Sequence, residues 1–256
     1  MPPDAVRAGG LTPDWPAGSR VGALMSTRAG GVSQGRWQSL NLGVAVGDDP
    51  AAVAENRRRF EAALGVPAVY LRQVHGARVV RLTCADAGRT LADAADAAIT
   101  TDPTVACTVQ VADCLPVLFA APEGRGVAAA HAGWRGLAAG VLEATVAALC
   151  DAAACAPAEL AAWLGPCIGP RRFEVGADVV DAFAPHPSRF VARPRADGSP
   201  RWLADLQGLA RDRLATLGVA RVSGGAWCSV EDASRFFSFR RDGVTGRMAA
   251  AVWRVG

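Results

Sequence analysis

Strand-like apolar runs outnumber helical ones along this chain, and the two do not alternate strictly. That pattern narrows the fold more than any other feature. Val21–Thr27 reads as a first strand. Val69–His75 reads as another, with Arg78–Leu82 as its hairpin partner. Val105–Val111 alternates as a half-buried strand, and Pro116 limits central pairing before the run resumes at Val117. Gly126–His131, a strand leading into LGPCIGP (164–170) and Met248–Trp253 complete the set. Helices are predicted after GDDP (47–50), where Asp49 can cap and Pro50 suits the first turn, and at Leu137–Cys150, Ala177–Phe183 and 204–217. The order favours an α+β domain, helices packed on layered mixed sheets, over a doubly wound α/β fold.

The length of 256 residues suits one domain over 19–256, with 1–18 as a loose N-terminal segment and 184–201 as a mobile Arg/Pro stretch. All 27 basic residues are arginine. The absence of lysine excludes Schiff-base chemistry and a Walker-type phosphate lysine. The arginines are spread from Arg7 to Arg254 rather than gathered in a stripe, so no nucleic-acid partner is expected. No apolar run is long enough to span a bilayer, so no membrane partner is expected either. MPPDAVRAGGLTPDWP lacks the pattern of a secretory signal, and none of the seven cysteines forms a CxxC pair. Reduced thiols in a cytoplasm follow as the expectation, most of them acting as small buried hydrophobes.

Three stretches place a histidine or cysteine where a strand breaks: QVHG (73–76), ADCLP (112–116) and HAGWRG (131–136). The chain has only three histidines, and two of them fall here; His186, between two prolines, reads as a surface loop residue. If His75, Cys114 and His131 converge, spacing alone leaves several readings open. One is a zinc site with an open position, where bound water is acidified towards a pKa of ~7. Another is a thiolate activated by histidine. A third is two hydrogen-bonded structural histidines and an inert thiol. Asp113 could orient a ligand from behind. Gly133 and Gly136 allow close backbone approach, and Arg135 adds a fixed cation beside a helix start. Arg28, Asn41, Arg240, Arg241 and Arg247 lie in polar, glycine-containing loops, where arginine could meet a phosphate bidentately.

In this order, STRAGGVSQGRWQSLNLGVAVGDDPAAVAENRRR, QVHG, VADCLPVLFA, AAHAGWRGLAAGVL, LGPCIGP and FFSFRRDGVTGRMAA closely resemble the YfiH family. Members have been labelled polyphenol oxidase, laccase-domain protein, purine nucleoside phosphorylase and peptidoglycan editing factor. The resemblance implies a single α+β domain similar to the catalytic domain of cytotoxic necrotizing factor toxins. It implies His75, Cys114 and His131 as both metal ligands and catalytic residues, with zinc as the metal and copper as the other option. It implies phosphorolysis of purine nucleosides (adenosine, inosine, guanosine, methylthioadenosine) and hydrolytic deamination of adenosine. The partners expected are purine nucleosides and phosphate, bound by Arg28, Asn41, Arg135 and Arg241, and the protein is expected as a monomer or weak dimer. Nucleobase deaminases also use a glutamate; none adjoins these motifs, which leaves His75, Cys114 or Asp113 to move the proton.

The family labels suggest two rival activities. A hydrolase that edits cell-wall precursors, removing a wrong amino acid from UDP-MurNAc, would use the same residues. A multicopper laccase would need many more imidazoles than three histidines supply, which leaves at most oxidation by a single copper.

Overall fold

The run GVAAAHA forms a strand with both faces covered: all six residues of Val127–Ala132 are buried. Alanine side chains let structure pack closely on either side, and that strand lies at the centre of the molecule. The computed structural model describes residues 4–184 and 187–256, so His186 lies outside the described residues. In chain order the elements begin with α1 (Asp4–Gly9), β1 (Val21–Met25), α2 (Pro50–Leu64), β2 (Ala68–Arg72) and β3 (Val79–Leu82). There follow β4 (Thr90–Ala94), β5 (Ala97–Thr100), β6 (Ala106–Val111), β7 (Leu115–Ala120) and β8 (Val127–Ala132). Next come α3 (Trp134–Ala138), α4 (Val141–Ala153), β9 (Ala161–Leu164), β10 (Glu174–Val175) and α5 (Ala177–Ala182). The chain ends with β11 (Phe190–Ala192), β12 (Trp202–Ala204), α6 (Leu206–Thr216), β13 (Arg221–Gly224), α7 (Phe239–Asp242) and β14 (Met248–Arg254).

Two mixed sheets pack face to face. One has the order β1-β14-β6-β2-β4, the other β13-β9-β7-β8-β5-β3. Alternation along each strand assigns its residues to layers. Leu118, Val127 and Ala129 meet Val109, Val111 and Val252 between the sheets. Leu115, Val117 and Phe119 point the other way, onto Leu142, Val146 and Leu149 of α4 and Leu209 and Leu214 of α6. On the far side, Tyr70 and Ala251 pack with Phe60 and Leu64 of α2. The result is a helix–sheet–sheet–helix sandwich, a single α+β domain. Because β6 is covered on both faces, it is buried almost throughout rather than half-buried as expected.

The cap of α2 is as expected: Asp49 Oδ1 accepts from the Ala51 N–H at 3.0 Å, and Gly65 stops the helix at φ +79°. Several expectations are corrected. The segment before residue 18 is not loose from Asp4 onward: Val6 is buried against α2, and Arg7 Nε donates to Ala63 O. Arg78–Leu82 is not the hairpin partner of β2. β2 pairs in parallel with β6 and β4, whereas β3 joins the other sheet beside β5. The helix expected at Leu137–Cys150 is two helices, broken at Gly140 with φ +89°. The Arg/Pro stretch contains β11 and leads directly into β12, and the two form a small sheet with β10. Among the cysteines only Cys107 and Cys167 are buried, and all seven are free thiols.

Pro116 sits in β7, a central strand, against expectation. Its carbonyl accepts from the Gly165 N–H at 2.9 Å, just past the end of β9. The N and C=O of one strand residue face the same side, so the missing N–H points where β9 has already finished.

Candidate metal centre and cavity

Among the described residues the chain passes from the first sheet to the second three times, at β2→β3, β4→β5 and β6→β7. Each pass carries a residue of one cluster: His75 on the first, Asp96 on the second, Cys114 on the third. The fourth residue, His131, stands in β8 directly opposite Pro116 of β7. The sandwich therefore gathers at one edge side chains that are far apart in sequence.

The possible ligand atoms of His75, Cys114 and His131 all lie within 4.8 Å of one another. Cys114 Sγ is 3.6 Å from His75 Nε2, and the two imidazole rings meet edge to face with centroids 4.7 Å apart. His131 is buried, at 3% exposure, and its Nδ1 lies 2.8 Å from Asp96 Oδ1. Asp96 is fully buried, and its carboxylate also accepts from the N–H groups of Val74, His75 and Gly76 at 2.8–3.1 Å. One carboxylate thus orients His131 and folds the loop that presents His75, which takes the left-handed conformation at φ +62°. Burial works against ionising Asp96, but the His131 hydrogen bond and the backbone donors hold its carboxyl below the ordinary value.

Burial also works against a charged Cys114, yet His131 and His75, by charge and hydrogen bond, hold its thiol down at about 6. The partner effect runs the other way on His131: burial opposes the imidazolium, while Cys114 and Asp96 raise it to about 9. Without a metal, both shifts favour a thiolate on Cys114 and an imidazolium on His131. With Nδ1 turned to Asp96, His131 Nε2 faces the other two donors. Two imidazoles and a thiolate, one imidazole backed by a carboxylate, are a donor set that fits zinc with an open fourth position.

HAGWRG serves this packing directly. A Cβ on Gly133 would stand 2.8 Å from His75 Cδ2 and 2.9 Å from Cys114 Sγ, and one on Gly136 would stand 2.8 Å from Gly76 O. Both glycines are there because the other two motifs press against them. α3 starts at Trp134, and the Arg135 guanidinium stacks over the Trp134 ring at 4.3 Å.

The cluster opens into a cavity of about 760 Å³. Arg135, Arg240, Arg247, Gln73, Gln110 and Phe239 share its walls with the three donors. Of the side chains expected to bind substrate, Arg135 lines this cavity, whereas Arg28, Asn41 and Arg241 are engaged elsewhere. Arg28 donates to Gln38 O and Ala233 O, both at 2.9 Å, and Arg241 donates to Ser229 O and Phe236 O while pairing with Asp242. Asn41 is fully buried. Its Oδ1 accepts from the Gly43 and Arg247 N–H groups and its Nδ2 donates to Asp48, so it holds two pieces of the wall. Asp113 does not orient a ligand: its oxygens accept from Ser229 Oγ at 2.5 Å and from the Arg240 N–H at 2.6 Å. Asp96 has the orienting role instead. Its only signal in the sequence is an acidic residue at the entrance of the apolar run AAIT, where a buried charge must find partners.

Residues 22–255 match the family described as multi-copper polyphenol oxidoreductase laccase, and the chain belongs to that family. It is 53% identical to purine nucleoside phosphorylase PA4543 of Pseudomonas aeruginosa over 95% of this chain and 97% of that one. It is 48% identical to purine nucleoside phosphorylase YfiH of Escherichia coli over 96% and 98%. Among solved structures, Neisseria meningitidis protein NMB0706 superposes with a TM-score of 0.88 at 49% identity, covering 97% of this chain and 100% of that one. The resemblance to YfiH read from the motifs therefore stands. Among the described residues, no helix is long and apolar enough to cross a membrane.

Proposed function

We propose that this chain is a zinc-dependent purine nucleoside phosphorylase that also deaminates adenosine. The observation that carries the reading is the His75–Cys114–His131 donor set at the wall of a cavity large enough for a nucleoside. The names borne by its relatives PA4543 and YfiH support the phosphorylase part of it. Zinc, when bound, supplies Lewis acidity at an open coordination position.

The remaining work belongs to the chain's own residues. Asp96 fixes the His131 tautomer, so Nε2 stays available as a donor. His131 and His75 keep Cys114 ionised at neutral pH. Arg135 and Arg247 line the cavity and provide fixed cations for phosphate. Phe239 offers an apolar face to the purine. Asn41 acts at one remove, by holding Gly43 and Arg247. Multicopper oxidation is disfavoured by chemistry: the family description names several coppers, but the chain has three histidines in all.

The test is product analysis of the metal-reconstituted protein with adenosine, with and without phosphate. Phosphate-dependent adenine release and phosphate-independent inosine formation are expected. Absence of adenine, inosine and hypoxanthine under both conditions would overturn the assignment.

A further inference from the structure

A second cleft, of about 720 Å³, opens beside the cavity, and Arg240 lines both. Its charged lining is Arg172, Arg195, Arg201 and Arg240 against Glu174 and Asp178, an excess of two positive charges. Glu174 Oε1 accepts from Arg195 Nε at 3.0 Å and has Arg201 Nε at 3.9 Å. Arg172 Nε turns aside to Glu231 at 3.1 Å, and Arg240 Nη1 donates to Glu174 O at 3.0 Å. A guanidinium carries five N–H groups. Among the described residues, these four give up at most two each to hydrogen bonds.

The segment bearing Arg195 and Arg201 is built. Arg193 N donates to Arg201 O at 2.7 Å, Arg195 N to Ser199 O at 3.0 Å and Gly198 N to Arg195 O at 2.9 Å, which makes a tight turn between β11 and β12. At its other end the cleft is tied to the metal centre. The Arg240 N–H is held by Asp113, the neighbour of Cys114, and the Arg240 side chain then crosses the Phe173 ring to reach Glu174.

We propose that this cleft binds a phosphoryl group, carried on the far end of a substrate whose base and sugar fill the cavity. The chain would then accept nucleoside 5′-phosphates as well as nucleosides. Forked guanidiniums match phosphoryl oxygens bidentately. A phosphate that attacks the sugar must lie against the reacting carbon. A site one arginine side chain away from the metal centre suits a phosphoryl group attached to the substrate. The choice of nucleoside rests on the function proposed above; the basic cleft does not.

The experiment is calorimetric binding of adenosine and adenosine 5′-monophosphate to the metal-reconstituted protein. The monophosphate is expected to bind about tenfold more tightly, a preference that shrinks as salt rises. Arg195→Ala/Arg201→Ala should abolish the preference and leave adenosine binding unchanged. Glu174→Gln, which removes the competing carboxylate, should enlarge it, so the proposal can be tested even if the double variant misfolds. No preference in the wild type, or one that survives in the double variant and does not grow in Glu174→Gln, would overturn it. A second arm uses inorganic phosphate alone. If adenosine does not bind but phosphate raises the Tm of the wild type and not of the double variant, the cleft stands and the nucleoside reading falls. If the monophosphate shows no preference but the double variant raises the KM for inorganic phosphate, the phosphoryl group belongs to the free co-substrate.

Discussion

Asp96 Oδ1 lies 2.8 Å from His131 Nδ1, and the same buried carboxylate takes three backbone N–H groups from the loop that carries His75. The placement of both histidines therefore depends on a residue that is not itself one of the three donors.

Asp96→Asn is isosteric but puts an NH₂ group where an acceptor is needed. We expect zinc affinity to fall by roughly 10–100-fold and the metal-free protein to lose about 3 kcal/mol. Metal competition titration and urea unfolding measure the two. The Asp96 carboxyl is held below its ordinary value, so its contribution is full above about pH 4 and is lost as pH falls through the lower folded value. The variant should lack that acid step. Unchanged zinc affinity would show that the His131–Asp96 bond does not set the ligand.

Cys114 in chelator-treated protein should alkylate with iodoacetamide along a curve inflecting near pH 6, well under a free thiol. The thiol is protonated below that pH, so zinc affinity should decline on acidification through the same range. His131→Gln should move the inflection upward. Mass-spectrometric rates at Cys114 decide the matter; an inflection above pH 8 in the wild type would refute the pairing.

Gly133→Ala places a methyl group against His75 Cδ2 and Cys114 Sγ. The donors must separate, and zinc binding should weaken at least about tenfold. Gly133 has φ −64°, which alanine adopts freely, so the Tm should move little. A large drop in Tm with intact metal binding would contradict this reading.

Asn41→Ala separates a structural role from a binding one. Removing a buried hub with several partners should cost about 2–3 kcal/mol and loosen the wall at Gly43 and Arg247. A direct substrate ligand would instead raise KM with the Tm unchanged. Thermal unfolding beside steady-state kinetics distinguishes the two.

The three donors of the candidate metal site stood out because they punctuate strands: QVHG, ADC and HAGW each interrupt an apolar run, while their chemistry stayed open until the ordered family motifs were read together. Asp96 did not, because either of the two aspartates among the alanines of ADAADAAIT looks like any solvent-facing charge until its partners are placed. Arg28 and Arg241 illustrate the converse. A polar, glycine-rich loop has the same composition whether its arginines bind a ligand or its own carbonyls. The α+β class followed from the order of elements. The sheet joined by Val79–Leu82 did not, since nothing local marks a chain that crosses between layers. Pro116 misled for a related reason: whether a missing N–H matters depends on where β9 stops.

The three passes between sheets have a mechanical meaning. His75 and Cys114 sit on links between the sheets, and His131 belongs to the second sheet alone. A metal that joins them is a rivet through the seam of the sandwich. Prying the sheets apart from that edge would have to break the rivet first, so loading and unloading the ion should set how firmly the two halves of the molecule stay closed.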